Sequence, residues 1–214
     1  MENSIEDLEA YRKQKQAIGE ENALALYRKA QRDSAVNANI REKVRARHIF
    51  RETAGLPGGI PFSSEQEDVF EDWFLFDYIS IRGSTMFNLF LRRDSGQLAE
   101  ADLIQGALFL SSVLQPVKIE RAEGENLAAF DILSGEKLQL KAADSINLEE
   151  RRSYWIRCIP VFTRNFCFGP AFPMNNADAV VERYKELMAS GEGMTWRAFL
   201  KKSALVLLFR EGAI

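Results

Sequence analysis

Six carboxylates, Glu65, Glu67, Asp68, Glu71, Asp72 and Asp77, fall within thirteen positions of this chain. Glu67/Glu71 and Asp68/Asp72 are each four apart, so on a helix each pair shares a face. Carboxylates so placed can hold a divalent cation or move a proton. That makes the acidic helix 65–77 a candidate for a metal-assisted enzyme. The same acids suit an ordinary helix N-terminus, where the dipole favours negative charge, and this is the simpler reading. Asp77 stands apart between Phe76 and Tyr78. It is expected to be partly buried against a backbone group or Arg82.

Opposite charge comes just before. Arg41, Lys43, Arg45, Arg47, His48 and Arg51 crowd into eleven positions, and Arg41, Arg45 and His48 project to one side. Such a patch can hold an acidic partner or a phosphate backbone. Residues 1–54 carry 11 basic and 9 acidic groups, whereas residues 55–115 carry 3 and 9. The simplest use of that asymmetry is pairing of the basic helix with the acidic one, within the molecule or between subunits. His48 is the only histidine. It extends Val36, Ile40 and Val44 by four more positions and reads as a residue at the edge of an apolar stripe.

A third cluster lies near the C-terminal side: Tyr154, Trp155, Phe162, Phe166, Phe168 and Phe172, with Arg151, Arg152, Arg157 and Arg164 nearby. Small barrels bind single strands with aromatics flanked by bases, so Trp155, Arg157 and Arg164 are candidate contacts. Strand alternation leaves only about half of such a set outside, the rest filling the core. Cys158 and Cys167 fall on the expected last hairpin. A loop at Thr163-Arg164 makes them diagonal neighbours, about 7–8 Å apart at Cα, too far for an easy disulfide. A three-residue loop puts them on opposite faces. Two reduced, structural thiols are the expectation.

Other chemistry is excluded by inventory. Two cysteines and one histidine cannot build a four-ligand zinc site without carboxylates, so no metal and no cofactor is expected. No serine sits in a G-x-S-x-G elbow, and no G-K-[ST] follows Gly55, Gly58 and Gly59. A net charge of −3 and a pI near 5.5 disfavour wholesale phosphate-backbone binding. The 46% hydrophobic and 28% charged fractions are those of an ordinary soluble protein. No apolar run approaches a membrane span, and the polar start of the chain lacks the order of a secretory leader. The expected compartment is the cytoplasm, without membrane contact.

These clusters need elements to hold them. Apolar spacing predicts helices through residues 1–54, with Gly19 separating the first two and a third beginning near Ser34. Residues 55–64 form a Gly/Pro linker. Residues 65–115 form an aromatic-rich helical core. Its first helix is capped by Ser64 with Glu67, and a short one is capped by Thr85. A longer helix carries Leu98, Leu103, Ile104, Ala107, Leu108 and Leu114 on one stripe. At Pro116 the period changes to two, and five short strands over 116–173 predict a barrel of the OB or SH3-like kind. Residues 174–214 return to helix, capped by Asn175 or Asn176 and then by Thr195. The fold class is therefore α+β: N-terminal helices, a small five-stranded β-barrel, and C-terminal helices.

Phe70-Glu71-Asp72-Trp73-Phe74-Leu75-Phe76-Asp77-Tyr78, followed by a barrel carrying Phe130-Asp131-Ile132-Leu133-Ser134-Gly135-Glu136, resembles a group of uncharacterised bacterial proteins. These share a WFLFDY-type helix and a small β-barrel, and some carry a zinc motif like that of the SecA tail. The resemblance spans roughly residues 66–172. It implies the architecture and a bacterial source but no activity. The cysteine cluster of the zinc motif is absent here, so zinc binding is not implied. The expected function is a non-enzymatic binding or adaptor protein, acting through the barrel face or the basic helix 41–51. A protein partner or homo-oligomer is expected first, with nucleic acid as a further possibility. The alternatives are the metal-assisted enzyme and a structural, oligomer-forming subunit.

Overall fold

The computed structural model describes residues 2–143, 146, 148–191 and 193–210. The first element, α1 (Glu2–Asn37), runs unbroken through the expected break at Gly19. Gly19 serves packing instead: a Cβ there would lie 2.6 Å from Phe162 Cε2 and 3.0 Å from Val161 Cγ1. The chain bends at Asn39, whose side chain caps α2 (Ile40–Ala54) by accepting from the Arg41 amide. The break thus falls after Asn37, where an asparagine supplies the cap, and not near Ser34. Gly55, at φ 70, ends α2.

Helix α3 (Ser64–Phe76) begins at Ser64, but its cap is Ser63 with Gln66, one residue earlier than expected. Helix α4 (Met86–Asp94) is capped by Thr85 as the sequence predicts. Helix α5 (Glu100–Ser111) buries Gly106 and Phe109, while Leu103 and Ile104 of the expected buried stripe face solvent. Leu114 is not part of this helix; it opens the first strand.

Five strands follow: β1 (Leu114–Glu123), β2 (Asn126–Asp131), β3 (Lys137–Ala142), β4 (Ser153–Val161) and β5 (Arg164–Met174). They close in the order β1-β2-β3-β5-β4. Every neighbouring pair is antiparallel except β3 with β5. That order is the Greek-key barrel of the OB-fold. Val117, Ile119, Leu127, Leu140, Tyr154 and Ile156 fill its interior. The β4–β5 register slips between Trp155 and Arg157, beside Gly169 at φ 73. Helices α6 (Ala177–Ala189) and α7 (Trp196–Arg210) start at the expected caps Asn176 and Thr195.

Helix α3 is the centre of the molecule. Val69, Phe70 and Phe74 pack with Phe50 of α2, Leu208 of α7 and Trp155 of the barrel. Leu75 and Phe76 turn the other way, toward Tyr27 of α1, Phe109 of α5 and Phe168 of β5. Trp73 is half-buried at the rim of the first group. Among the described residues no helix is long and apolar enough to cross a membrane.

Candidate functional site

Two charged constellations come out of this packing, one sealed and one open. The sealed one joins α3 to the barrel. Arg157 Nη2 donates to Asp72 Oδ2 at 2.8 Å and to Asp77 Oδ2 at 2.7 Å. Its Nε reaches both Asp72 oxygens at 3.2 Å, and Nη1 reaches the Ser112 carbonyl at 3.2 Å. The guanidinium lies 4.8 Å from the Phe76 ring centre. Side-chain exposure is 1% for Arg157 and 3% for Asp72. Burial pushes the Asp72 carboxyl up, with Arg157 opposing it. Burial alone would lower Arg157, but Asp72 and Asp77 outweigh it and raise it. Two carboxylates against one cation, with Arg157 and Asp72 closed to solvent and Asp77 13% exposed, make a brace between α3 and β4.

This placement corrects two sequence expectations. Trp155 and Arg157 do point out of the barrel, as strand alternation requires. That part of the barrel is covered by helices, so Trp155 is 1% and Arg157 1% exposed. Pointing outward from a sheet is not exposure when another layer lies on top. Asp77 takes Arg157, not Arg82, as its partner.

The two charged helices face each other. Arg47 holds Glu67 through both carboxylate oxygens, at 2.8 and 2.7 Å. Lys43 reaches Glu71 at 2.7 Å. Arg51 donates to the Pro57 carbonyl at 2.6 Å and stacks 4.4 Å over the Phe62 ring. Arg45 donates to the Tyr78 hydroxyl at 2.6 Å, and that hydroxyl donates to Glu42. Burial and the Glu42 carboxylate push the Tyr78 phenol up to about 12. Glu67, Glu71 and Asp72, three of the acids that had the spacing of a cation site, thus neutralise cations from α2 and β4. Among the described residues, no three His, Cys, Asp or Glu side chains converge as metal ligands.

What stays open is the outward face of α2. Arg41 has no side-chain partner among the described residues, and His48, 74% exposed, reaches only Glu52, at 3.3 Å. Beside them on α2 stand Ile40 and Val44, 73% and 61% exposed, with Val36 of α1 next along at 79%. The expected buried stripe Val36–Ile40–Val44 therefore faces water, and α2 buries Ala46, Phe50 and Ala54 instead. No feature of spacing distinguishes the two faces. Phe50, with Ala46 and Ala54 beside it, packs in one cluster with Val69, Phe70 and Phe74 of α3.

Arg164 is not free either. It binds Glu20 at 2.5 and 2.9 Å and Asn126 at 2.7 Å, tying β5 to α1 and β2. The β4–β5 turn is Phe162-Thr163, one residue earlier than expected. Cys158 and Cys167 are consequently directly opposite each other, not diagonal. Both are reduced. Gln115 Nε2 donates to Cys158 Sγ at 3.0 Å, and Cys158 together with burial pushes the Cys167 thiol up.

The chain matches no family model, no curated protein and no solved structure. The functional reading therefore rests on the geometry above.

Proposed function

We propose that this protein is a non-enzymatic binding or adaptor protein of the bacterial cytoplasm, and that the outward face of α2 docks an acidic protein partner. One observation carries the reading: Ile40 and Val44 are 73% and 61% exposed beside Arg41, while Arg45, Arg47 and Lys43 of the same helix are paired with Tyr78, Glu67 and Glu71. An apolar strip beside an arginine is complementary to an amphipathic acidic segment, which buries the strip and pairs the arginine. A phosphate backbone offers the cations a partner but leaves the apolar strip uncovered. Too few cations are unpaired here, in a chain of net charge −3, for a strong phosphate contact. The metal-assisted reading has less support still, because Glu67, Glu71 and Asp72 already have intramolecular cations.

The test is direct binding by fluorescence anisotropy. One probe is an acidic peptide with leucines at helical spacing; the other is a mixed-sequence single-stranded oligonucleotide. The peptide is expected to bind, and Ile40→Ser with Arg41→Glu to abolish binding without lowering the melting temperature. Salt-sensitive oligonucleotide binding lost in the same variant overturns the reading in favour of nucleic acid. Binding of neither probe removes the support for this face.

A further inference from the structure

From Asp7 to Lys15, α1 stands clear of the body of the molecule. Asp7 through Lys15 are exposed one after another, and burial begins only at Gln16. A helical stretch this short is marginal in water unless something packs on it. Its charges are in blocks: Glu2, Glu6, Asp7 and Glu9, then Arg12, Lys13 and Lys15. Leu8 and Tyr11, 48% and 55% exposed, lie on one face at spacing three. Ile18, four plus three further on and 43% exposed, continues that face. It leads into a groove of about 360 Å³ lined by Ile18, Gly19, Ile104, Leu108, Pro160 and Phe162. Ile104 and Phe162 are 63% and 72% exposed, so the groove and the helix face form one uncovered apolar surface.

We propose that a second copy of this chain covers the Leu8–Tyr11 face of α1, with the two α1 helices antiparallel about a two-fold axis between Glu9 and Ala10. The charge blocks choose the occupant and the direction. Antiparallel, Leu8 of each copy packs on the second copy's Tyr11, and Asp7 meets its Arg12. Each contact occurs twice, as a two-fold interface requires. A parallel pair would set Glu9 against Glu9 and Arg12 against Arg12. This surface is separate from the outward face of α2, so the two proposals stand or fall independently.

Sedimentation equilibrium over a concentration series reads the assembly. The unaltered protein is expected to be a dimer, and Leu8→Glu with Tyr11→Glu to weaken it about tenfold or more. Because both residues are exposed, the melting of the body, followed at low concentration, should not move. Asp7→Lys alone should weaken the dimer, and adding Arg12→Glu should restore it. Orientation is read by single cysteines in a Cys158→Ser/Cys167→Ser background. A mixture of Leu8→Cys and Tyr11→Cys chains should cross-link as the heterodimer, faster than either chain alone. A monomer at every concentration overturns the proposal. So does faster cross-linking of each chain with itself, which marks a parallel pair. Loss of the dimer in Ile40→Ser/Val44→Ser, with Leu8→Glu/Tyr11→Glu silent, moves the interface to α2 and overturns it too.

Discussion

Helices α3 and α2 are both dense in charge, of opposite sign, yet they dispose of it differently. Helix α3 carries Asp72 into the centre of the molecule, where a single arginine from β4 meets it. Helix α2 turns Lys43 and Arg47 inward but leaves Arg41, His48, Ile40 and Val44 to solvent. In one region the most polar groups are sealed; in the other, well-spaced apolar groups are bare. Burial is decided by what layer covers a face, and spacing along one helix does not report that layer.

The contrast is broken hardest by removing the sealed cation. Arg157→Met leaves Asp72 and Asp77 buried without a partner, and uncompensated charge in such a site costs about 3–5 kcal/mol. At roughly 2–4 °C per kcal/mol for a chain of this size, melting should fall by about 6–20 °C. Adding Asp72→Asn and Asp77→Asn should recover much of the loss, since the charge is then gone. A drop of a degree or two in the single variant, read by differential scanning calorimetry, would mean that water reaches the cluster.

A smaller effect is expected at Gly169, the residue that lets β5 pass close to this brace. Its φ of 73 is a left-handed conformation, and a Cβ there would lie 3.1 Å from Tyr27 Oη and 3.3 Å from Asp72 Oδ1. Gly169→Ala therefore combines backbone strain with a steric push on two buried groups, about 1–3 kcal/mol together. The melting loss should be smaller in a Tyr27→Phe background, where the hydroxyl is absent. Equal losses in both backgrounds would assign the whole cost to the backbone.

The fold was legible where local chemistry is decisive. Thr85 and Thr195 could be read as caps, the change of period at Pro116 marked the barrel, and Phe70 and Phe74 marked the centre. The misreadings share a cause. Gly19 looked like a break because glycine is a poor helix former, but its use is to admit Val161 and Phe162 from a hairpin far along the chain. Trp155 and Arg157 looked like a binding face because nothing local says that helices lie over that part of the barrel. The Asp72–Arg157 pair spans 85 positions, and no spacing rule reaches so far. The pairing of α2 with α3 was legible only as a charge asymmetry between segments, without the identity of the pairs.

The edge between the two regions is Tyr78, which links Arg45 and Glu42 of α2 to the end of α3. Its phenol is pushed up to about 12, against about 10 in an unfolded chain. A raised folded-state value means that the protonated hydroxyl contributes stability fully below about pH 10. That contribution is lost as pH climbs from about 10 to about 12. The urea midpoint should fall across this window more steeply in the unaltered protein than in Tyr78→Phe. The gap between the two should close by its upper end. Parallel curves would show that the hydroxyl does not couple the helices.

The least effect, and the sharpest contrast with Arg157, is expected on the open face. Ile40→Ser and Val44→Ser remove β-branched side chains whose spacing with Val36 is that of a core stripe. If spacing decided burial, each would cost what a truncated core residue costs, about 2–5 kcal/mol. Because Ile40 and Val44 are 73% and 61% exposed, little apolar contact is lost, and each should stay within about 0.5 kcal/mol of the parent. Melting should be measured on dilute protein, so that no association protects the face. A core-sized loss there would place a second copy or another segment over α2 even at low concentration, and α2 would then have to be counted with the sealed region.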